Sequence, residues 1–349
     1  VAITEETLLI ASDARDRLRR MSDAQVVALT SAWVDAWSEL QPEFSAVLLQ
    51  ILSGTGDEHV TRAAMAKNKL LAGALQRARV TLDELTSQIE VIVANDLGEA
   101  VLDAAQTMTR IGASQLPPTA AQVGVVFDMP AGPALDAIVA RTTEQVTSTA
   151  IPLPADVEAA MKRELIRGVA VGSNPNVTAR RIVRRAEGRF NGGLARAANI
   201  ARTELLDASR QGGLVAAGHN KDLLSGWTWH TQLDARTCGA CLSKHGEVFP
   251  VDQFGPEGHP QCRCARLDKT KSWRELGFDI DEPEDDVVDA RAWFDNLETT
   301  SQNAILGPGR AQLLRDGQLD WDQIAVKHTN PQWRDSWHMA PLKDLKGAA

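Results

Sequence analysis

All four cysteines of the chain lie between Cys238 and Cys264, and this clustering constrains the fold more than any other feature. A disulfide-stapled chain spreads its cysteines to cross-link distant segments, whereas four in one short stretch point to a metal-binding module. The pattern is Cys238-x2-Cys241, seventeen residues, and then His259-Pro260-Gln261-Cys262-Arg263-Cys264. Two thiols separated by two residues can fold back on one ion, a geometry that tetrahedral zinc accepts. The second half adds His259, Cys262 and Cys264, so five candidates compete for four places. In an extended segment Cys262 and Cys264 face the same side. Four thiolates, or three thiolates and one imidazole, both satisfy the spacing.

A catalytic zinc needs an open coordination position and a nearby general base. Here the soft donors suffice to close the sphere, so a structural zinc is expected and no residue is assigned a catalytic role. A thiol–disulfide enzyme would need Cys-x2-Cys in a βαβ setting, which this segment lacks. His245, in the turn Lys244-His245-Gly246, is expected to face water. His230, between Trp229 and Thr231, is expected in a strand.

The rest of the chain reads as mainly α. Its 349 residues, 44% apolar and 24% charged, exceed one small core and suit neither global disorder nor a filament. Ser22-Asp23-Ala24-Gln25 has the spacing of a capping box. Val26, Leu29, Trp33, Trp37 and Leu40 follow at helical intervals, which places two indoles on one buried face. A second helix is expected from about Arg62 to Thr109. Proline-rich punctuation from Pro117 to Pro154 ends this N-terminal helical region near residue 150. Beyond it, helices are expected over 156–171, 178–190 and 194–217, the first two joined by Gly172-Ser173-Asn174-Pro175-Asn176 as in a helix-turn-helix. Strands are expected at 226–232 and 246–250, around the cysteines. The expected architecture is therefore an N-terminal helical region (1–150), a central domain with a small α+β Cys/His module (151–270), and an acidic, Trp-containing C-terminal extension with helical character (271–349).

A net charge of −9 argues against wholesale wrapping of nucleic acid, but the charge is uneven. Met161–Arg210 carries eleven Lys/Arg against four Asp/Glu, and Asp279–Glu298 carries nine acidic residues and one basic. The basic stretch, with Arg180, Arg181, Arg184 and Arg185 on one helix, suits non-specific phosphate contacts through 162–210. No apolar run approaches the ~20 residues of a spanning helix, and the acidic start does not resemble a signal peptide. Synthesis in the cytoplasm with no membrane partner is the expectation.

Arg202-Thr203-Glu204, Trp227, Asp234-x-Arg236-Thr237-Cys238-x2-Cys241, Gly246 and His259-Pro260-x-Cys262-Arg263-Cys264 together resemble the Mu F-like phage head morphogenesis domain. The likeness runs over roughly 155–270. The stretch from Trp293-Phe294 through Ile305-Leu306-Gly307-Pro308 to Gly317 resembles the tail that follows that domain in many relatives. The resemblance implies a minor head protein at the portal vertex of a phage virion, made in the host cytoplasm. It would act in head assembly, DNA packaging or DNA delivery, with the portal protein as partner and scaffold or major capsid protein as further ones. Arg202, Glu204, Asp234 and Arg236 would act as ion pairs or caps that orient the module. Two other readings compete: a zinc-containing DNA-binding protein read through 178–190, and a metal-dependent nuclease using Asp234 and His259. Relatives can also carry toxin domains at the C-terminus, but 269–349 shows neither a phosphate loop nor a nucleophile elbow.

Overall fold

The computed structural model describes residues 2–53, 69–150, 175–234, 236–330 and 335–345. Long helices dominate it: α1 (Glu5–Ser53), α2 (Lys69–Ser114), α3 (Gly132–Ala150) and α4 (Pro175–His219). Two compact units share them. One comprises 21–96 and 140–204; the other comprises 1–20, 97–139 and 205–349.

In the first unit, α1 buries Leu29, Trp33, Ala36, Leu40 and Val47, and α2 buries Ala74, Ala78, Leu82, Leu85, Ile89 and Val93. Intervals of three, four and seven place each set on one helical stripe. Gln25 donates to Asp96 at 2.9 Å, and Arg77 pairs with Glu43, so the two helices run antiparallel. Of the expected face, Leu29, Trp33 and Leu40 are buried, whereas Val26 and the second indole, Trp37, are only half-buried.

The expected cap at Ser22 does not form, because α1 begins at Glu5 and passes straight through it. Ser22 is buried, and its Oγ accepts from Nε of Arg202 at 2.8 Å while Nη2 of Arg202 reaches Asp23 at 2.7 Å. A partner 180 positions away in sequence satisfies the hydroxyl that a helix start would otherwise use. The expected separation of helices at 178–190 and 194–217 is also replaced, by the single helix α4 running through Gly192-Gly193. Glycine costs a helix interior about 1 kcal/mol, which does not by itself break it. The expected helix at 156–171 lies outside the described residues.

The second unit carries a three-stranded antiparallel sheet of order β2-β1-β3, with β1 at Leu224–His230, β2 at Val248–Phe249 and β3 at Ala265–Thr270. The expected strands around the cysteines are present as β1 and β2. The pairing Thr228↔Leu267 lies on one face, where Leu267 packs with Ile3 just before α1, Ile10 and Ala11 of α1, and Ile111 near the end of α2. Trp227, Trp229, Arg266 and Asp268 lie on the opposite face, as the two-residue strand period requires. The free edge of β3 is covered by Gln115, whose amide donates to the Asp268 carbonyl at 2.6 Å and accepts from the Thr270 N–H at 3.2 Å. An unpaired edge is thereby closed by a side chain.

A short helix α5 (Gly239–Ser243) sits between β1 and β2. The C-terminal segment forms α6 (Ala290–Asp295), α7 (Thr299–Leu306), α8 (Pro308–Arg315), the hairpin β4 (Ala325–His328) and β5 (Ser336–Met339), and α9 (Leu342–Leu345). Its core of Phe294, Leu306, Leu314, Leu319 and Ile324 includes Leu242 of α5. A Cβ on Gly239 would lie 2.5 Å from Leu306 Cδ2 and 2.8 Å from Met339 Sδ, so α5 touches this segment through a position with no side chain. Among the described residues no helix is long and apolar enough to cross a membrane.

Candidate metal centre

The two halves of the cysteine motif meet in space. Cys238 is the N-cap of α5, and its Sγ accepts from the Cys241 N–H at 3.4 Å. This turn aims both thiols the same way. The second half is a tight turn in which Cys262 N–H donates to the His259 carbonyl at 3.0 Å, with Gln261 in the left-handed region at φ 61°. Nδ1 of His259 lies 2.7 Å from the Pro260 carbonyl.

Cys238, Cys241 and His259 form one group with ligand atoms all within 4.8 Å of one another, and Cys241, Cys262 and Cys264 form a second. Cys241 belongs to both. The cluster can hold a metal ion, and all five sequence candidates are in it. The Cys241 and Cys262 sulfurs are 3.6 Å apart. A disulfide would need about 2.05 Å, whereas tetrahedral metal–thiolate bonds of about 2.3 Å put two sulfurs about 3.8 Å apart. All four cysteines are free thiols.

The cluster is polarised. A hydrogen bond from the Cys241 thiol holds Cys238 down to about 5, and a hydrogen bond to Cys238 raises His259 to about 9. Cys241 is correspondingly pushed up, chiefly by the same bond to Cys238. Shared protons among close thiols and an imidazole are what a metal ion displaces when it binds deprotonated ligands.

Several neighbours hold the donors in place, of which only Trp227 is among the motif residues. Gly258 is one: a Cβ there would overlap Sγ and Cβ of Cys262. Buried Arg210, paired with Asp207 at 2.7 Å, donates to the Cys262 carbonyl at 2.5 Å and the Cys264 carbonyl at 3.4 Å. Trp227 and Trp229 pack directly against Cys241 and Cys262. Beside them Arg266 pairs with Asp268 at 2.5 Å, and its remaining nitrogens donate to the Gln253 and Val251 carbonyls. Burial raises the Asp268 carboxyl, and Arg266 opposes that shift. The only sequence trace of this arrangement is a pair of opposite charges two positions apart, which also reads as surface.

Asp234 and Arg236 lead into the first cysteine pair. The Asp234 carboxylate accepts from the Arg236 N–H at 2.8 Å and from both Arg263 nitrogens at 3.3 Å, tying the entrance of the first cysteine pair to the second. Arg202 holds Ser22 and Asp23 within the helical unit, and Glu204 is buried. His230 closes β1 as expected, its Nδ1 2.7 Å from Nη1 of Arg15. Burial, reinforced by Arg15, lowers its pKa to about 3. His245 differs from expectation: it is half-buried, and Nδ1 accepts from the Thr231 N–H at 2.9 Å. The turn folds its ring inward because β1 ends there with an N–H that needs an acceptor.

Residues 159–267 match the family described as Phage Mu protein F like protein. All five donors, together with Arg202, Glu204, Asp234 and Arg236, lie inside the Mu protein F-like segment. No curated protein and no solved structure matches the chain.

Proposed function

We propose that the chain is a minor head protein of a tailed bacteriophage, acting at the portal vertex in head assembly, DNA packaging or DNA delivery, with one structural zinc. The observation that carries this is the coincidence of the Mu protein F-like match with a spatially assembled set of soft donors. Thiolates and imidazole suit zinc above harder cations. Cys238, Cys241, His259, Cys262 and Cys264 are the donors from which its ligands would come, and a closed sphere would tie α5 to the turn before β3. No catalytic role is assigned to any residue.

The portal protein is the proposed principal partner, engaged by the helices of 1–150, with scaffold or major capsid protein as further contacts. The segments 151–270 and 271–349 are then divisions of role: metal module and acidic extension. Of the basic stretch 162–210, Arg202 and Arg210 are already used internally, so DNA contact falls to the cations of 162–196, where Arg184 is exposed. Such contacts would be salt-sensitive and independent of sequence.

The test is to follow the full-length tagged protein through particle assembly. It is expected in purified heads at low copy and in complex with the portal protein. Absence from heads at every stage, with normal particles formed when the gene is deleted, would overturn the proposal.

A further inference from the structure

A cleft of about 80 Å³ lies in the second unit, between α1, α2 and α4 and the start of β3. At about 10–15 Å³ of such space per water, it has room for roughly five to eight water-sized groups. Its walls are largely aliphatic, with Ala11, Met108 and Leu206 from the three helices in turn.

Four arginines and one aspartate also line it, and pairing the charges off leaves one over. Asp103 is held by Arg17 at 2.7 Å, Arg210 by Asp207 at 2.7 Å, Arg266 by Asp268 at 2.5 Å and Arg263 by Asp234 at 3.3 Å. Arg15 has no carboxylate partner among the described residues. Its Nη1 lies 2.7 Å from Nδ1 of His230, and its Nε is buried with no hydrogen-bond partner. A guanidinium keeps its charge and its N–H donors. Buried charge is unfavourable until an opposite charge and matched hydrogen bonds meet it. The chemistry that complements Arg15 is therefore anionic.

The walls decide which anion. A phosphate or sulfate needs donors on several sides, whereas here the other guanidiniums are engaged and most of the remaining surface is carbon. A carboxylate on a short aliphatic stem satisfies both features, because its two oxygens suit one guanidinium and its carbons suit Ala11, Met108 and Leu206. The Ser209 hydroxyl, also in the lining, offers a further donor.

We infer that this cleft binds a carboxylate carried on a stem of about three or four carbons, with Arg15 as the residue that holds the anion. A free short-chain monocarboxylate and the C-terminal residue of a peptide share this chemistry. Neither case depends on metal in the cysteine cluster.

Saturation-transfer NMR on the full-length protein tests the site with pentanoate and N-acetyl-leucine against their neutral counterparts, pentanol and N-acetyl-leucinamide. At least one acid is expected to bind and neither neutral compound is. Binding of pentanoate marks a free carboxylate as the ligand, and binding of N-acetyl-leucine alone marks a chain terminus. Arg15→Met is expected to weaken binding by about tenfold or more, the scale of one charge-assisted hydrogen bond. Ala14→Leu, which narrows the cleft and leaves Arg15 in place, is expected to weaken it as well. Should Arg15→Met fail to fold, the contrast between acids and neutral counterparts in the wild type still decides. Pentanol binding as well as pentanoate, no binding by either acid, or acid binding unchanged in both variants would overturn the site. Loss of metal from Arg15→Met, with no acid bound by the wild type, would equally overturn it and make Arg15 a counter-charge for the cluster.

Discussion

The helical unit and the cysteine module are stabilised in different ways. In the helical unit, the interior of α1 and α2 is a repeated stripe of Leu, Ala, Ile and Val with Trp33 as its largest member. In the module, the interior is two tryptophans, four thiols, an imidazole and the Arg266–Asp268 pair. Apolar stripes spread stabilisation over many similar contacts, so each substitution removes a portion. A polar interior works only when every donor and acceptor is matched, and one missing member leaves the others buried and unpaired.

The sharpest test of that contrast is metal removal. Chelation, or Cys241→Ser in the full chain, is expected to abolish the near-UV circular dichroism of Trp227 and Trp229 while most far-UV helical signal remains. Equal loss of both signals would show that the helices depend on the metal as much as the sheet does. Next in size, Gly258→Ala is expected to weaken metal binding by on the order of ten- to a hundred-fold, the scale seen when residues that position ligands are changed. Competition with a chromophoric chelator would measure it, and wild-type affinity would mean that Cys262 yields to the new methyl group.

Trp33→Ala should cost the helical unit about 3–5 kcal/mol in denaturant unfolding without changing metal content. Loss of metal in that variant would break the comparison from the other side. Gln115→Ala removes both bonds to the edge of β3 and is expected to cost about 1–3 kcal/mol, read as faster amide exchange at Thr270.

The remaining test concerns the pH dependence due to His230. Its folded pKa of about 3 lies below the ordinary 6.5, so between those values the unfolded chain binds a proton that the folded chain does not. Stability therefore falls on acidification from pH 6.5 toward 3, by up to about 1.4 kcal/mol per pH unit from this group. His230→Gln is expected to flatten that slope in acid titrations followed by tryptophan fluorescence. A slope unchanged from wild type would remove His230 as its cause.

Much of this architecture is legible in the sequence wherever signals are local. The stripe Leu29, Trp33, Leu40 reports its own helix, and the spacing of Cys238, Cys241, His259, Cys262 and Cys264 reports their convergence. Legibility fails where the deciding partner is distant. Ser22 resembles a helix start until Arg202 claims its hydroxyl. Strand β3 is hidden because its inward residues, Arg266 and Asp268, neutralise one another instead of being apolar. His245 resembles a surface turn until the Thr231 N–H turns it inward. Gly258 carries no signal except its place before His259, since its function is the volume that it leaves empty.

The contact at Gly239 bears on how such genes can recombine. The knuckle formed by helix α5 and its two cysteines, Cys238 and Cys241, presents bare backbone to Leu306 and Met339 and contributes Leu242 to the core that Phe294 and Leu314 complete. A crossover placed just after β3, which the sequence alone makes attractive, would therefore pair one parent's knuckle with another parent's covering helices and leave their surfaces mismatched. Viable chimaeras should carry the knuckle and residues 290–345 together from the same parent, so that these two stretches are inherited as one block although some fifty residues of chain divide them.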